Sequence, residues 1–131
     1  MRTEKDFIGE IKIPAEALYG IHSVRAKENF PDTTPFIKEW YKAMMTVKRA
    51  CYETSLEYFT KANEKYDLSS TAIKTIDPSI LSTLIASAKQ CEKGDHYDQF
   101  IVPAISGGAG TSINMNVNEI LANLSQINLG N

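Results

Sequence analysis

The run Thr34-Pro35-Phe36-Ile37-Lys38-Glu39-Trp40, continued by Tyr41-Lys42-Ala43-Met44-Met45-Thr46-Val47-Lys48-Arg49-Ala50-Cys51, decides the fold. Threonine ahead of proline is a helix cap with proline at the first helical position. Beyond it Phe36, Ile37, Trp40, Met44, Val47 and Cys51 recur at the three- and four-residue steps of one helical face. The pattern continues through Leu56 and Phe59 to about Ala62, and no Gly or Pro intervenes before Pro78. The spacing therefore predicts a long amphipathic helix, a rod of roughly 40 Å at ~1.5 Å per residue, which needs a surface to pack on.

Downstream, Asn63 to Thr75 is rich in Ser, Thr, Lys and Asp and predicts a connecting loop. Asp77 before Pro78 repeats the cap signature, and Ile80, Leu81, Leu84, Ile85 and Ala88 make one apolar face until Gly94 stops the helix. A further helix is expected to begin near Asn114 to Asn118 and to run through Ile120, Leu121, Leu124 and Ile127. Upstream, the segment Phe7 to Pro14 alternates Glu10 and Lys12 with Ile11 and Ile13, the period of a short half-exposed strand that Pro14 ends. Pro14 to Gly20 looks like a helical turn stopped by glycine, and Ser23 is placed to cap a short helix through Lys27. The fold class that follows is mainly α, a small N-terminal β element followed by a helical domain, with residues 1–131 as one domain.

At 131 residues and 43% hydrophobic content the chain has material for one modest core. Its 14 basic and 16 acidic residues are spread along the length, so no basic stripe invites nucleic acid. No apolar run approaches the roughly 20 residues that span a bilayer, and the charged start from Met1 to Asp6 does not suit a signal peptide, so a cytoplasmic protein is expected. Cys51 and Cys91 lie far apart within helical patterns, which suits buried reduced thiols better than a disulfide. Neither His22 nor His96 stands at ligand spacing from the other or from a cysteine, so no metal is implied.

The chemistry lies between the last two helices, in Ser106-Gly107-Gly108-Ala109-Gly110-Thr111-Ser112. Consecutive amides with little side-chain bulk, joined by the hydroxyls of Thr111 and Ser112 ahead of a helix, suit a carboxylate or another oxyanion. Taken alone, the same glycines also suit a plain tight turn. A Walker loop is excluded because no Gly-Lys pair follows, and Ile113 stands where a dinucleotide fold needs its third glycine. The continuation Asn114-Met115-Asn116-Val117-Asn118-Glu119 places three carboxamides beside the loop, a density that is costly unless each is satisfied.

Gly107-Gly108-Ala109-Gly110-Thr111-Ser112, then Asn114-Met115-Asn116, Asn118-Glu119 and Ala122-Asn123, resemble the first signature segment of the aspartase and class II fumarase superfamily. Arg2, Glu4, Asp6, Gly9, Ile13-Pro14, Tyr19-Gly20, His22, Arg25-Ala26, Glu28-Asn29-Phe30 and Asp98-Gln99-Phe100 resemble its upstream pattern in the same order. Within the superfamily, Ala109 before Thr111, Ser112 after it, and His22-Ser23 resemble aspartate ammonia-lyases more than fumarases. The resemblance implies the N-terminal domain of such a lyase, with the central helical bundle and C-terminal domain outside this chain.

It further implies a parent enzyme that reversibly eliminates ammonia from L-aspartate to give fumarate, without a cofactor, as a homotetramer whose sites each draw on three subunits. Thr111 then matches the substrate-carboxylate contact, with Ser112 and the amides of Gly110 and Thr111 beside it. Arg25 stands where an arginine holds an anion or organises a neighbouring subunit, or else pairs with Glu28 or Asp32. Asn114 either shapes the loop or touches substrate, while Asn116 is expected to shape the loop and cap the helix. No catalytic residue is expected in this chain, because the family's base is a serine much later in the sequence. His22 is accordingly expected to pack or hydrogen-bond, and the 131-residue chain alone to be inactive. The stretch from Glu57 to Ile76 and the run Phe100 to Ser106 depart from the family pattern, which leaves open another amino acid or dicarboxylate as substrate. The competing readings are a class II fumarase acting on malate, and a structural or binding module without catalysis.

Overall fold

The computed structural model describes residues 1–130, apart from the side chain of Ser69; Asn131, the last residue of the expected domain, lies outside the described residues. In order it forms β1 (Arg2–Lys5), β2 (Glu10–Ile13), α1 (Ile21–Asn29), α2 (Lys38–Lys65), α3 (Pro78–Glu92) and α4 (Thr111–Asn128). Short 3-10 turns occupy Leu68–Ser70 and Tyr97–Gln99. The mainly α architecture with a small N-terminal β element is therefore the observed one.

The strand expected before Pro14 is one arm of an antiparallel hairpin, in which Arg2 faces Ile13 and Lys5 faces Glu10. Its turn is made by Asp6, whose carboxylate accepts from the amides of Ile8 (2.9 Å) and Gly9 (3.0 Å), the local side-chain bond that favours Asp in turns. Residues 14–20 hold one hydrogen-bonded turn, in which the Ala17 amide donates to the Pro14 carbonyl at 3.2 Å, but no helix. Arg2 instead gathers their carbonyls, donating to Pro14, Ala15, Ala17 and Tyr19 at 2.6–3.2 Å. Ser23 does not cap α1 either. Gly20 is the N-cap, the helix reaches Asn29, and Ser23 is buried inside it.

α2 and α3 run antiparallel as a hairpin, as the ion pairs show: Arg49 meets Glu92 at 2.7 Å and Lys89 meets Glu53 at 3.8 Å. With 28 residues, α2 is ~42 Å long at the standard rise. It starts at Lys38 behind Ile37, not at Pro35, and ends at Lys65, beyond Ala62. The expected cap at Thr34 fails because Thr34 is committed elsewhere. Its amide and hydroxyl both donate to Asp32 at 3.0 Å, and its carbonyl accepts from Ala104 at 2.8 Å.

The face of α2 is also corrected. Of the stripe anticipated through Phe36, Ile37, Trp40, Met44, Val47 and Cys51, Phe36 and Met44 pack against the core, while Ile37, Trp40, Val47 and Cys51 are exposed. The core side is Tyr41 and Met45, both 0% exposed, with Met44 and Tyr52 packed against it. Cys91 is buried as expected, Cys51 is not, and both thiols are free. Burial pushes the pKa of the Cys91 thiol and of the Tyr41 phenol up, so both stay protonated; the Tyr41 hydroxyl donates to the Asp95 carbonyl at 2.8 Å.

The expected cap on α3 is observed: Asp77 accepts from the amide of Ser79 at 2.7 Å, and Pro78 is the first helical residue. α4 starts at Thr111, three residues ahead of Asn114, so the glycine loop runs straight into a helix. Its inner side, Ile113, Val117, Ile120, Leu121 and Leu124, fills the main core between α1 and the hairpin. Ser125 donates to Ser87 at 3.0 Å where α4 crosses α3.

Candidate functional site

The loop reaches α4 through residues in left-handed backbone conformation: Gly108 (φ 84°), Ala109 (φ 51°) and Gly110 (φ 81°). At Gly110, the N-cap, a side chain would meet no neighbour, so glycine is required by the dihedral and not by space. Gly107, Gly108, Ala109 and Thr111 are exposed, which leaves the start of the helix open to solvent.

Two of the first-turn donors are used within the loop. The Thr111 amide donates to the Gly108 carbonyl at 3.0 Å, and the Thr111 hydroxyl donates to the same oxygen at 2.8 Å. The Asn114 amide closes on the Gly110 carbonyl at 3.0 Å. Between them, the amides of Ser112 and Ile113 have no acceptor among the described residues. These are the orphan donors that begin any helix, and they point along its axis with the positive end of the dipole. Of the pair anticipated, the Thr111 amide is thus taken by the Gly108 carbonyl, whereas the Gly110 amide has no acceptor among the described residues, and the amides of Ser112 and Ile113 are free beyond it.

Of the carboxamides, Asn116 is fully buried and wholly structural. Its oxygen accepts from Ile101 (2.8 Å) and Val102 (3.2 Å), and its NH2 donates to the Gln99 carbonyl at 3.1 Å. It ties down the segment that leads into the loop, the shaping role expected of it. Asn114 is half-buried and accepts from Lys48 of α2, with Nζ to Oδ1 at 2.6 Å. Asn123 donates to Leu18 at 2.8 Å, and Gln99 accepts from Leu18 at 3.0 Å.

Arg25 is held by Asp6, through Nε at 2.7 Å and Nη2 at 2.8 Å, and not by Glu28 or Asp32. The guanidinium beside Asp6 lowers the Asp6 pKa to about 2. Arg25 is therefore engaged in closing the hairpin onto α1. His22 is exposed, and its amide donates to Glu119.

Glu119 is the residue that sequence reasoning left without a role. Its carboxylate accepts from the amides of Gly20 (2.9 Å), His22 (2.9 Å) and Ser23 (3.2 Å) and from the Ser23 hydroxyl. The remaining first-turn amide of α1, that of Ile21, donates to Glu4 at 2.8 Å. A Cβ on Gly20 would lie 2.7 Å from the Glu119 oxygen, so the close approach explains that glycine. No local signal announces such a contact between residues 99 positions apart. Lys48 was missed for the same reason. Among the described residues, no group of His, Cys, Asp and Glu is arranged to hold a metal ion, and no helix is long and apolar enough to cross a membrane.

The geometry can be set beside known proteins. An aspartate ammonia-lyase of a Bacillus species is 39% identical over 94% of this chain and 23% of its own length. That of Helicobacter pylori is 36% identical over 95% of the chain and 24% of its own. Among solved structures, the fumarate lyase:delta crystallin of Brucella melitensis superposes with TM-score 0.82 at 31% identity, covering 99% of this chain and 27% of that one. The class II fumarase of Schistosoma mansoni gives TM-score 0.70 at 25% identity, covering 99% and 25%. The chain spans about a quarter of the length of the relatives it matches. The protein family described as Lyase matches residues 9–130, nearly the whole of the sequence, and the chain belongs to that family.

Proposed function

We propose that the loop Gly107–Ser112 and the first turn of α4 form the carboxylate-binding wall of an aspartate ammonia-lyase. The observation that carries this is the open start of α4: two unpartnered amides, Ser112 and Ile113, flanked by the Thr111 and Ser112 hydroxyls. The reaction is the reversible elimination of ammonia from L-aspartate. A base takes the proton from the carbon next to one carboxylate, the bond from the adjacent carbon to nitrogen breaks, and fumarate and ammonia result. Charge accumulates on that carboxylate before nitrogen leaves, and fixed donors aimed at its oxygens stabilise it by about 3–4 kcal/mol apiece where water is excluded.

In this scheme Thr111 swings its hydroxyl from the Gly108 carbonyl to the substrate, Ser112 adds a second hydroxyl, and the Ser112 and Ile113 amides complete the cradle. Gly110 sets the backbone that exposes them, and Arg25 organises the fold beneath without touching substrate. The base and the remaining walls come from outside residues 1–131, in a cytoplasmic homotetramer, so the 131-residue chain is inactive alone and acts as the N-terminal domain of the enzyme. L-Aspartate is preferred to malate because Ala109 and Ser112 follow the aspartase pattern and the relatives at 36–39% identity are aspartate ammonia-lyases. The structural likeness to a class II fumarase makes malate the second reading.

The test is fumarate formation, followed by absorbance, when the whole protein carrying this chain is given L-aspartate or malate. Turnover of aspartate supports the proposal. Turnover of malate alone makes the protein a fumarase, and turnover of neither overturns both readings. Lyase activity of the purified 131-residue chain would overturn the statement that it supplies only part of a site.

A further inference from the structure

α4 carries five asparagines, and four of them donate from Nδ2 within the chain: Asn116 to Gln99, Asn118 to the Met115 sulfur, Asn123 to Leu18 and Asn128 to Ser87. Asn114 is the exception among the described residues. Its oxygen accepts from Lys48 at 2.6 Å, and its NH2 group has no acceptor. The orientation of this carboxamide is fixed, because an ammonium has only donors and the carboxamide oxygen is the atom that must face it. Lys48 thus dictates which end of the Asn114 side chain is free, and it leaves a donor one turn into α4, on the residue that follows Ser112 and Ile113.

Lys48 itself is half-buried on α2 and has no carboxylate partner among the described residues. Its neighbour Arg49 is gripped by both Glu53 and Glu92. A partly desolvated ammonium with only a neutral partner lacks its countercharge. A carboxylate bound at the start of α4 would supply one. We propose that Lys48 is a positioning residue of the carboxylate site, turning the Asn114 carboxamide so that its NH2 donates to the bound carboxylate. This rests on the reading of the loop as that site.

The test is a titration of the isotopically labelled 131-residue chain with succinate, followed by amide NMR, in the unsubstituted form and in Lys48→Met, Lys48→Arg, Asn114→Ala and Thr111→Ala. The unsubstituted chain is expected to show saturable shifts at Ser112, Ile113 and the Asn114 side-chain NH2 pair. Lys48→Met should bind about tenfold more weakly, the loss of one charge-assisted bond, and its Asn114 NH2 pair should no longer respond. Lys48→Arg should recover most of the affinity, and Lys48→Met combined with Asn114→Ala should be little weaker than the weaker single variant.

Unchanged succinate binding in Lys48→Met, with weakened binding in Thr111→Ala, would overturn the role of Lys48 and leave the site standing. Absence of saturable shifts in the unsubstituted chain would overturn the carboxylate reading and the inference with it. Should Lys48→Met not fold, the Asn114 NH2 pair of the unsubstituted chain decides: a shift with succinate supports the proposal, and no shift overturns it.

Discussion

Two helices in this molecule begin in opposite ways. At α1 the amides of Gly20, Ile21, His22 and Ser23 are all taken by the carboxylates of Glu119 and Glu4. At α4 the amides of Ser112 and Ile113 are taken by nothing among the described residues. The physics of the two ends is the same, a cluster of orphan donors with partial positive charge. The chain fills one with its own side chains and leaves the other free, behind a loop held in left-handed conformation. α1 is in effect an internal precedent: it shows a carboxylate seated on three amides and a serine hydroxyl, the kind of ligand and the kind of donors that the proposed site at α4 calls for. Residues of one family pattern thus divide into those that hold the fold and those left available for chemistry.

Removing the internal carboxylate should have the largest effect. Glu119→Ala strands three amides and a hydroxyl at the α1 start and is expected to cost about 3 kcal/mol of stability or more, read by urea denaturation. A cost near that of Thr111→Ala, which should stay within about 0.5 kcal/mol as an exposed site, would erase the contrast between the two ends. Gly110→Ala comes next. It forces an ordinary residue to φ 81° and should destabilise by about 1 kcal/mol, with the amide resonances of Ser112 and Ile113 displaced. No change in either would mean that the loop does not depend on this conformation.

The smallest effect concerns acid. The folded-state pKa of Asp6, about 2, is below its ordinary 3.8, so the Arg25 pair contributes fully above pH 3.8 and is lost only as pH falls toward 2. NMR titration of Asp6 should give a midpoint of about 2 in the unsubstituted chain, rising toward 3.8 in Arg25→Gln. A midpoint already near 3.8 would mean that Arg25 is free of Asp6, and its assignment to the fold would fail.

Much of the helix content was legible because it is local. The Asp77-Pro78 cap and the apolar steps of α3 are read within a few residues, and the structure keeps them. Thr34-Pro35 carried the same local signature and failed, since Asp32 and Ala104 compete for Thr34 from outside the pattern. α2 was located correctly but its inner face only in part: Met44 packs inward as read, whereas Ile37, Trp40, Val47 and Cys51 share their period with Tyr41, Met45 and Tyr52, and only the tertiary partner decides which stripe is buried. At the site, the glycines and Thr111 were visible as a loop ahead of a helix. Which amides remain free turns on the left-handed backbone that brings Thr111 onto Gly108, while what holds Arg25 and the parts played by Glu119 and Lys48 depend on contacts between distant segments that no spacing encodes.

The most direct test of the division between fold and chemistry is a pair of measurements on Thr111→Ala in the whole protein: fumarate formation from L-aspartate, and thermal stability of the same sample. Activity is predicted to fall about 100-fold or more, the scale for removing a transition-state donor, with the melting temperature essentially unchanged. Full activity in Thr111→Ala, or a loss of activity that tracks a loss of stability, would contradict the assignment of the open end of α4 to the substrate.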